Sequence, residues 1–440
     1  MEKLVLTLIL SIGLISSVVA KNHITNETAY SAYKNADYQT AFKENLVLAK
    51  TGNLRAQEWL GYLYAQGQGV TKDPKQAIFW YSKAANQGSS YAQNNLGELY
   101  DENGAATEDL QLAFYWYSKA ASKSDRYSQN NLGVMYELGK GVTKDLKLAL
   151  SWYQKSAEQD YDYAQNNLGL MYELGKGVTK DLKLAVSWYQ KAADQGNAPA
   201  QNNLGWSYQK GKGVTKDLKL ALSWYQKSAD QGYTRGQNNL GYLYKWGIGV
   251  TKDYKKAISL YQKSANQGSA WGQNALGLMY EFGKGTTKDY KKALSWYQKS
   301  ANQGNDVAQN NLGDMYRFGT GVTKDFKLAF SWYQKSADQG YERGQNNLAV
   351  MYEQGNGVTK DLKLAFSWYQ KAADQGYDYA QNNLGLMYEF GKGTTKDLKL
   401  ALSWYQKSAN QGNKYAQNNL GDMYRFGTGV TKDFKLAFSW

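Results

Sequence analysis

The sequence predicts an all-α fold, an α-solenoid of antiparallel helical hairpins with a 36-residue period. Three observations carry that expectation. The pair Leu-Gly recurs at Leu60-Gly61, Leu96-Gly97, Leu132-Gly133 and onward to Leu420-Gly421, each glycine 36 residues after the last, with Leu348-Ala349 filling the one gap. A fixed period in this range marks a repeat whose units bury their apolar faces only against their neighbours. Within each period lie two stripes of helical spacing separated by a glycine loop. The chain also holds only two prolines in 440 residues and is 42% apolar, which suits helices around a continuous interior.

In chain order, the first element is not part of the fold. Lys3 precedes the apolar run Leu4 to Ile15, and Val18-Val19-Ala20 supplies small residues at a cleavage site. Residues 1–20 therefore read as a secretory signal, too short and wrongly flanked for a stable membrane span. The mature chain lacks cysteine, so it meets an oxidising compartment without disulfides. Residues 21–52 form an N-terminal segment with a divergent hairpin, in which Tyr33, Ala41, Phe42 and Leu46 are placed to cap the first repeat.

Ten full repeats follow over residues 53–412. In one of them, Ala164, Leu168, Met171 and Tyr172 fall at i, i+4, i+7 and i+8, one face of a helix. Gly175 is placed for a left-handed cap, and Asp181 for the N-cap of the second helix. In another repeat Pro74 directly follows the equivalent aspartate, at the first helical position that tolerates it. The second helix puts Ala185, Trp188, Tyr189 and Ala192 on one stripe and ends at Gly196. The recurring column Trp152, Trp188, Trp224 is read as core. Gly169 costs about 1 kcal/mol against alanine in mid-helix, and its expected role is to let the two helices approach closely. Residues 413–440 begin an eleventh repeat that stops within its second helix, which reads as a fragment end. Gly304–Trp332 and Gly412–Trp440 match except at Asp306/Lys414 and Val307/Tyr415, so likeness between copies partly reflects recent duplication.

The unit from Tyr163-Ala164-Gln165-Asn166-Asn167-Leu168-Gly169, through Gly175-Lys176-Gly177-Val178 and Asp181, to Trp188-Tyr189-Gln190-Lys191-Ala192-Ala193 and Gln195-Gly196 closely resembles the Sel-one-like repeat, a relative of the tetratricopeptide repeat. The resemblance runs from Asn53 to Trp440. It implies a right-handed solenoid whose first helices line the concave side. It also implies a scaffold or adaptor role, often in bacterial envelopes or host contact. One cysteine-rich branch of that family has been credited with penicillin recognition and hydrolysis. The disulfides that mark that branch cannot form here, so the activity is not carried over.

Candidate ligand contacts lie on the stripe of the first helices beside the core. An asparagine recurs at the Asn166 position, at Asn202, Asn238 and Asn274 among others. An amide both donates and accepts, so such a ladder either grips a peptide backbone or sugar hydroxyls or bonds between repeats. The middle repeats diverge on this stripe, with Trp206, Lys210, Arg235, Tyr242, Lys245, Trp246 and Trp271. Aromatic faces beside cations suit aromatic side chains, carboxylates or sugar rings. The alternative is that these rings fill gaps between repeats.

The net charge of +14 and pI of about 9.3 arise from lysines spread evenly over the repeats. That is either a solvated outer face or an attraction to anionic polymers. Chemistry is poorly supplied. There is one histidine, His23, and no cysteine, so neither a zinc spacing nor an activated thiol is available. Ser31-Ala32-Tyr33-Lys34 and Lys50-Thr51-Gly52 match fragments of a penicillin-binding signature but lie too close together. Asp314 with Arg317 reads as an ordinary helix-surface pair. No catalytic, metal or cofactor residues are expected. The expected partner is a protein or peptide, with an envelope glycan as the alternative and a penicillin-recognising activity third. Nucleic acid is not expected for an exported chain.

Overall fold

A computed structural model describes residues 24–103 and 106–440. The expected secretory signal and His23 lie outside the described residues. The chain divides into two compact units, Met1–Lys216 and Asp217–Trp440. Within the described residues of both, the regular elements are α-helices, 24 in all, with no strand. Each unit is a stack of hairpins in which every helix packs on the one before and the one after it.

In the first unit, the hairpin Asp162–Leu174 and Leu182–Asp194 is representative. Ala164, Leu168 and Met171 of its first helix are buried, and so are Ala185, Tyr189 and Ala192 of its second. Gly175 takes a φ of 67° and caps the first helix, its N–H donating to the Met171 carbonyl. The Asp181 side chain accepts from the Leu184 N–H and starts the second helix. Gly177 has a different reason to be glycine. A Cβ there would stand 2.3 Å from the carbonyl oxygen of Leu146, at the start of the preceding repeat's second helix. The loop's backbone therefore packs directly on its neighbour's backbone. Gly169 also makes room, but for a side chain: an added Cβ would lie 2.6 Å from the Tyr189 ring.

That contact corrects the expected core column in part, at Trp152 and Trp188 but not at the buried Trp224. The fully buried aromatic is the tyrosine after each tryptophan, as at Tyr153 and Tyr189. Its hydroxyl donates to a glutamate on the first helix, Tyr153 to Glu137 at 2.9 Å and Tyr189 to Glu173 at 2.5 Å. Trp152 and Trp188 are only half-buried. Trp188 lies against a core that joins Tyr153 of the preceding repeat to Leu168 of its own. Its outer face is covered by Lys191, whose Nζ stands 4.2 Å from the ring centroid. Trp224, in the second unit, is more buried, and Lys227 covers it in the same way at 3.9 Å. Many of the lysines thus serve as lids on tryptophan, their aliphatic stems and charge both favouring the ring.

Hydrogen-bonded amides tie the two helices of each hairpin together and to the repeat before. Gln195 Nε2 donates to Gln165 Oε1 at 2.8 Å, and Gln165 Nε2 reaches back to the Ala157 carbonyl at 3.3 Å. The same staple recurs in the second unit, at Gln303 with Gln273 and at Gln339 with Gln309. The inner glutamine of each pair is buried, so its bonds replace water that the interior excludes.

Before the first repeat, Asn26–Lys34 and Tyr38–Lys50 form a hairpin. Phe42 and Leu46 pack on a core that includes Ala56 and Leu60. At the far end, Phe434–Ser439 is a short helix on which Phe438 is 95% exposed. No helix among the described residues is long and apolar enough to cross a membrane.

Candidate functional site

The asparagine column is a ladder within the protein. In the first unit, Asn131, Asn167 and Asn203 donate Nδ2 to the Oδ1 of Asn94, Asn130 and Asn166 at 3.3, 3.0 and 2.9 Å. In the second unit, Asn311, Asn347, Asn383 and Asn419 donate to Asn274, Asn310, Asn346 and Asn382 at 2.8–3.0 Å. The accepting asparagines are buried. Asn274 therefore spends its oxygen on Asn311. Asn202 is 6% exposed on the helix Ala198–Lys210 of the first unit.

One rung of the second unit departs from this pattern. Asn238 lies on Thr234–Trp246, and the residue placed to donate to it, on Ala270–Phe282, is Ala275. Asn238 Nδ2 donates to Ser269 Oγ at 3.2 Å, while its buried Oδ1 has no hydrogen-bond partner. Asn238 lines an open cleft of about 520 Å³ with Arg235, Ser269, Trp271 and Gln303. Trp271 is 45% exposed, with its ring 5.9 Å from that of buried Tyr261. Arg235 is exposed, and no carboxylate among the described residues stands within ion-pair distance of it. Three candidate residues, Arg235, Asn238 and Trp271, thus meet in one cleft.

The other candidates stand apart from it. Tyr242 and Trp246 lie further along the same helix, both exposed, with ring centroids 6.3 Å apart. Lys245 sits 5.3 Å from the Trp246 ring, and burial holds its ammonium below the usual lysine range. It occupies the position that holds Glu173 or Glu281 in other repeats, so the local charge is reversed. In the first unit, Trp206 is half-buried beneath Lys212, whose Nζ is 4.6 Å from the ring, and Lys210 is exposed.

Two features escaped the sequence reading. The first is an aromatic cleft of about 410 Å³ in the first unit, lined by Tyr33, Arg55, Glu58, Trp59, Tyr62 and Tyr91. Trp59 stands where later repeats carry the donating asparagine, as Ala275 does, and that exchange was its available signal. The Tyr33 and Trp59 rings are 4.7 Å apart. Tyr33 is bonded to the Tyr62 hydroxyl at 3.2 Å, which pushes its own hydroxyl up to about 12. Glu58 is raised by burial, opposed by a hydrogen bond from Ser89.

The second is Asp314, which is not a surface pair with Arg317. It accepts from the Tyr333 hydroxyl at 2.7 Å and from Arg343, on the next repeat's first helix, at 2.8 Å. Burial nonetheless raises its pKa. Arg317 lies 5.1 Å from the Phe318 ring.

Stacked hairpins, glycine loops and amide rungs define a helical-repeat scaffold. The Sel1 repeat family model matches eleven consecutive segments, from residues 54–89 to 414–440, and the chain belongs to the Sel1 repeat family. It is similar to the solved structure of a protective antigen of uropathogenic Escherichia coli displaying an SLR fold. The identity is 41%, over 91% of this chain and 85% of that one, with a TM-score of 0.64. It is also similar to a Sel1 repeat protein from Oxalobacter formigenes, at 30% identity over 70% of this chain and 90% of that one, with a TM-score of 0.52. Among curated proteins, no sequence matches the chain significantly. Sel1 repeat proteins are scaffolds that generally mediate protein interactions.

Proposed function

We propose that the chain is an exported bacterial scaffold that holds a protein or peptide partner on the first helices of its second unit. One observation carries the reading: Arg235, Asn238 and Trp271 line a single open cleft that the packing of the repeats does not use. Trp271 is 45% exposed although its ring also meets Tyr261, Arg235 has no ion-pair partner among the described residues, and both residue types are enriched where proteins bind. Trp246 and Tyr242 extend the exposed aromatic surface along the same helix. Export is supported by the pattern of residues 1–20. A scaffold role is supported by the likeness to an antigen of the same fold.

The test is capture of partners from an envelope extract by the full chain and by a Trp246→Ala/Trp271→Ala variant, across salt concentrations. The expected result is a protein retained at high salt by the native chain and lost by the variant. Recovery of anionic polymer alone, washing off as salt rises, would instead assign the lysines a general anchoring role. Binding unchanged in the variant would show that the cleft does not hold the partner.

A further inference from the structure

Asn238 and Ala275 carry an inference that rests on the reading above and gives the cleft its ligand chemistry. In the other rungs of the second unit, an asparagine N–H meets the oxygen that Asn238 presents alone. Asn238 is 95% buried by residue, its exposure being 5%, so its unpaired amide oxygen is not satisfied by bulk water. A buried acceptor left unmade is costly, and such groups are rare in folded proteins. Turning the amide over would not remove the fault. Ser269 can pair with either end through its hydroxyl, so an orphaned acceptor would become an orphaned donor. The fault also coincides with the cleft that holds Arg235, one turn earlier on the same helix, and Trp271.

We propose that this interrupted rung is a ligand anchor for an acidic peptide. The wall of the cleft shifts on binding so that the Asn238 carboxamide takes a main-chain amide, Arg235 takes a carboxylate close by along the peptide, and Trp271 carries the neighbouring side chain. A peptide unit offers both N–H and C=O, so it completes the rung in either orientation of Asn238. Ala275 is then the residue that leaves the oxygen without a partner inside the protein. An asparagine there would supply one.

The opposed effects on stability and binding make the test. The probe is an array of synthetic random-sequence peptides, read with labelled full chain. One matched set has amidated C-termini, and another has Asp and Glu replaced by Asn and Gln. The native chain is expected to bind a subset that needs a carboxylate, and the two matched sets tell a C-terminal carboxylate from a side-chain one. Ala275→Asn is expected to melt at a higher temperature yet bind those peptides about tenfold more weakly, the scale of one lost buried hydrogen bond. Arg235→Gln should weaken binding without changing the melt. A raised melt with unchanged peptide affinity in Ala275→Asn would overturn the anchor while leaving peptide binding intact. If asparagine lowers the melt, Asn238→Leu decides instead, because it removes the unpaired group without needing space at 275. Peptide affinity retained in that variant overturns the anchor. Failure of the native chain to bind any peptide, with soluble peptidoglycan fragments retained, overturns both the anchor and the proposed partner class.

Discussion

Asn203 donates its side-chain N–H to Asn166 across 2.9 Å, one repeat back, and so ties the first helices of two hairpins together. Asn203→Ala would strand the Asn166 oxygen, which belongs to a residue only 6% exposed. The expected loss is about 1–3 kcal/mol, read by urea unfolding. A change within experimental error would mean that the rungs contribute no net stability.

Substitution at two left-handed glycines of one repeat should have sharply different effects. Gly177 has a φ of 69°, and an added Cβ would stand 2.3 Å from neighbouring backbone, whereas Gly196 has a φ of 97° with nothing within 4 Å of that position. Gly177→Ala should therefore cost more than the roughly 1–2 kcal/mol of left-handed strain alone, because two backbones must part. Gly196→Ala should cost no more than that strain. Thermal melts of the two variants check the order.

Asp314 predicts a pH dependence. Burial raises its folded pKa above the ordinary 3.8 despite the hydrogen bond from Tyr333 and the charge of Arg343. The folded state therefore holds the proton more tightly than the unfolded one. Its contribution to stability is fully present below 3.8 and declines as pH rises through the folded value. Relative to Asp314→Asn, the native chain should lose stability from acidic towards neutral pH. An opposite slope in the difference between the two would show that the Arg343 pair outweighs burial.

The hairpin was legible because its signals are local. Helical stripes, a glycine cap and an aspartate N-cap are set by neighbouring residues, and Ala164, Leu168 and Met171 are buried as their spacing requires. The choice between Trp188 and Tyr189 for the deepest place was not legible from the stripe. Both sit on it, and the ring that faces Gly169 is decided by a contact 20 residues away along the chain. The asparagine column likewise reads in sequence as a possible ligand surface or a joint between repeats. Its partners lie 37 residues on, at a distance that only the stacking fixes. The interrupted rung was visible as Asn274-Ala275 in place of Asn-Asn, but its meaning depends on that same geometry. Asp314 misled because its partner Arg343 comes from the next repeat and not from its own helix.

A partner seated on the first helices of the middle repeats in the second unit should leave a footprint in backbone exchange. Hydrogen–deuterium exchange on the full chain, with and without a captured protein or peptide, reads that footprint. New protection is expected over residues 234–246 and 270–282, the helices that carry Arg235, Asn238, Trp246 and Trp271. Protection confined to other helices, such as those around the aromatic cleft at Trp59, would place the partner elsewhere and refute the proposed site.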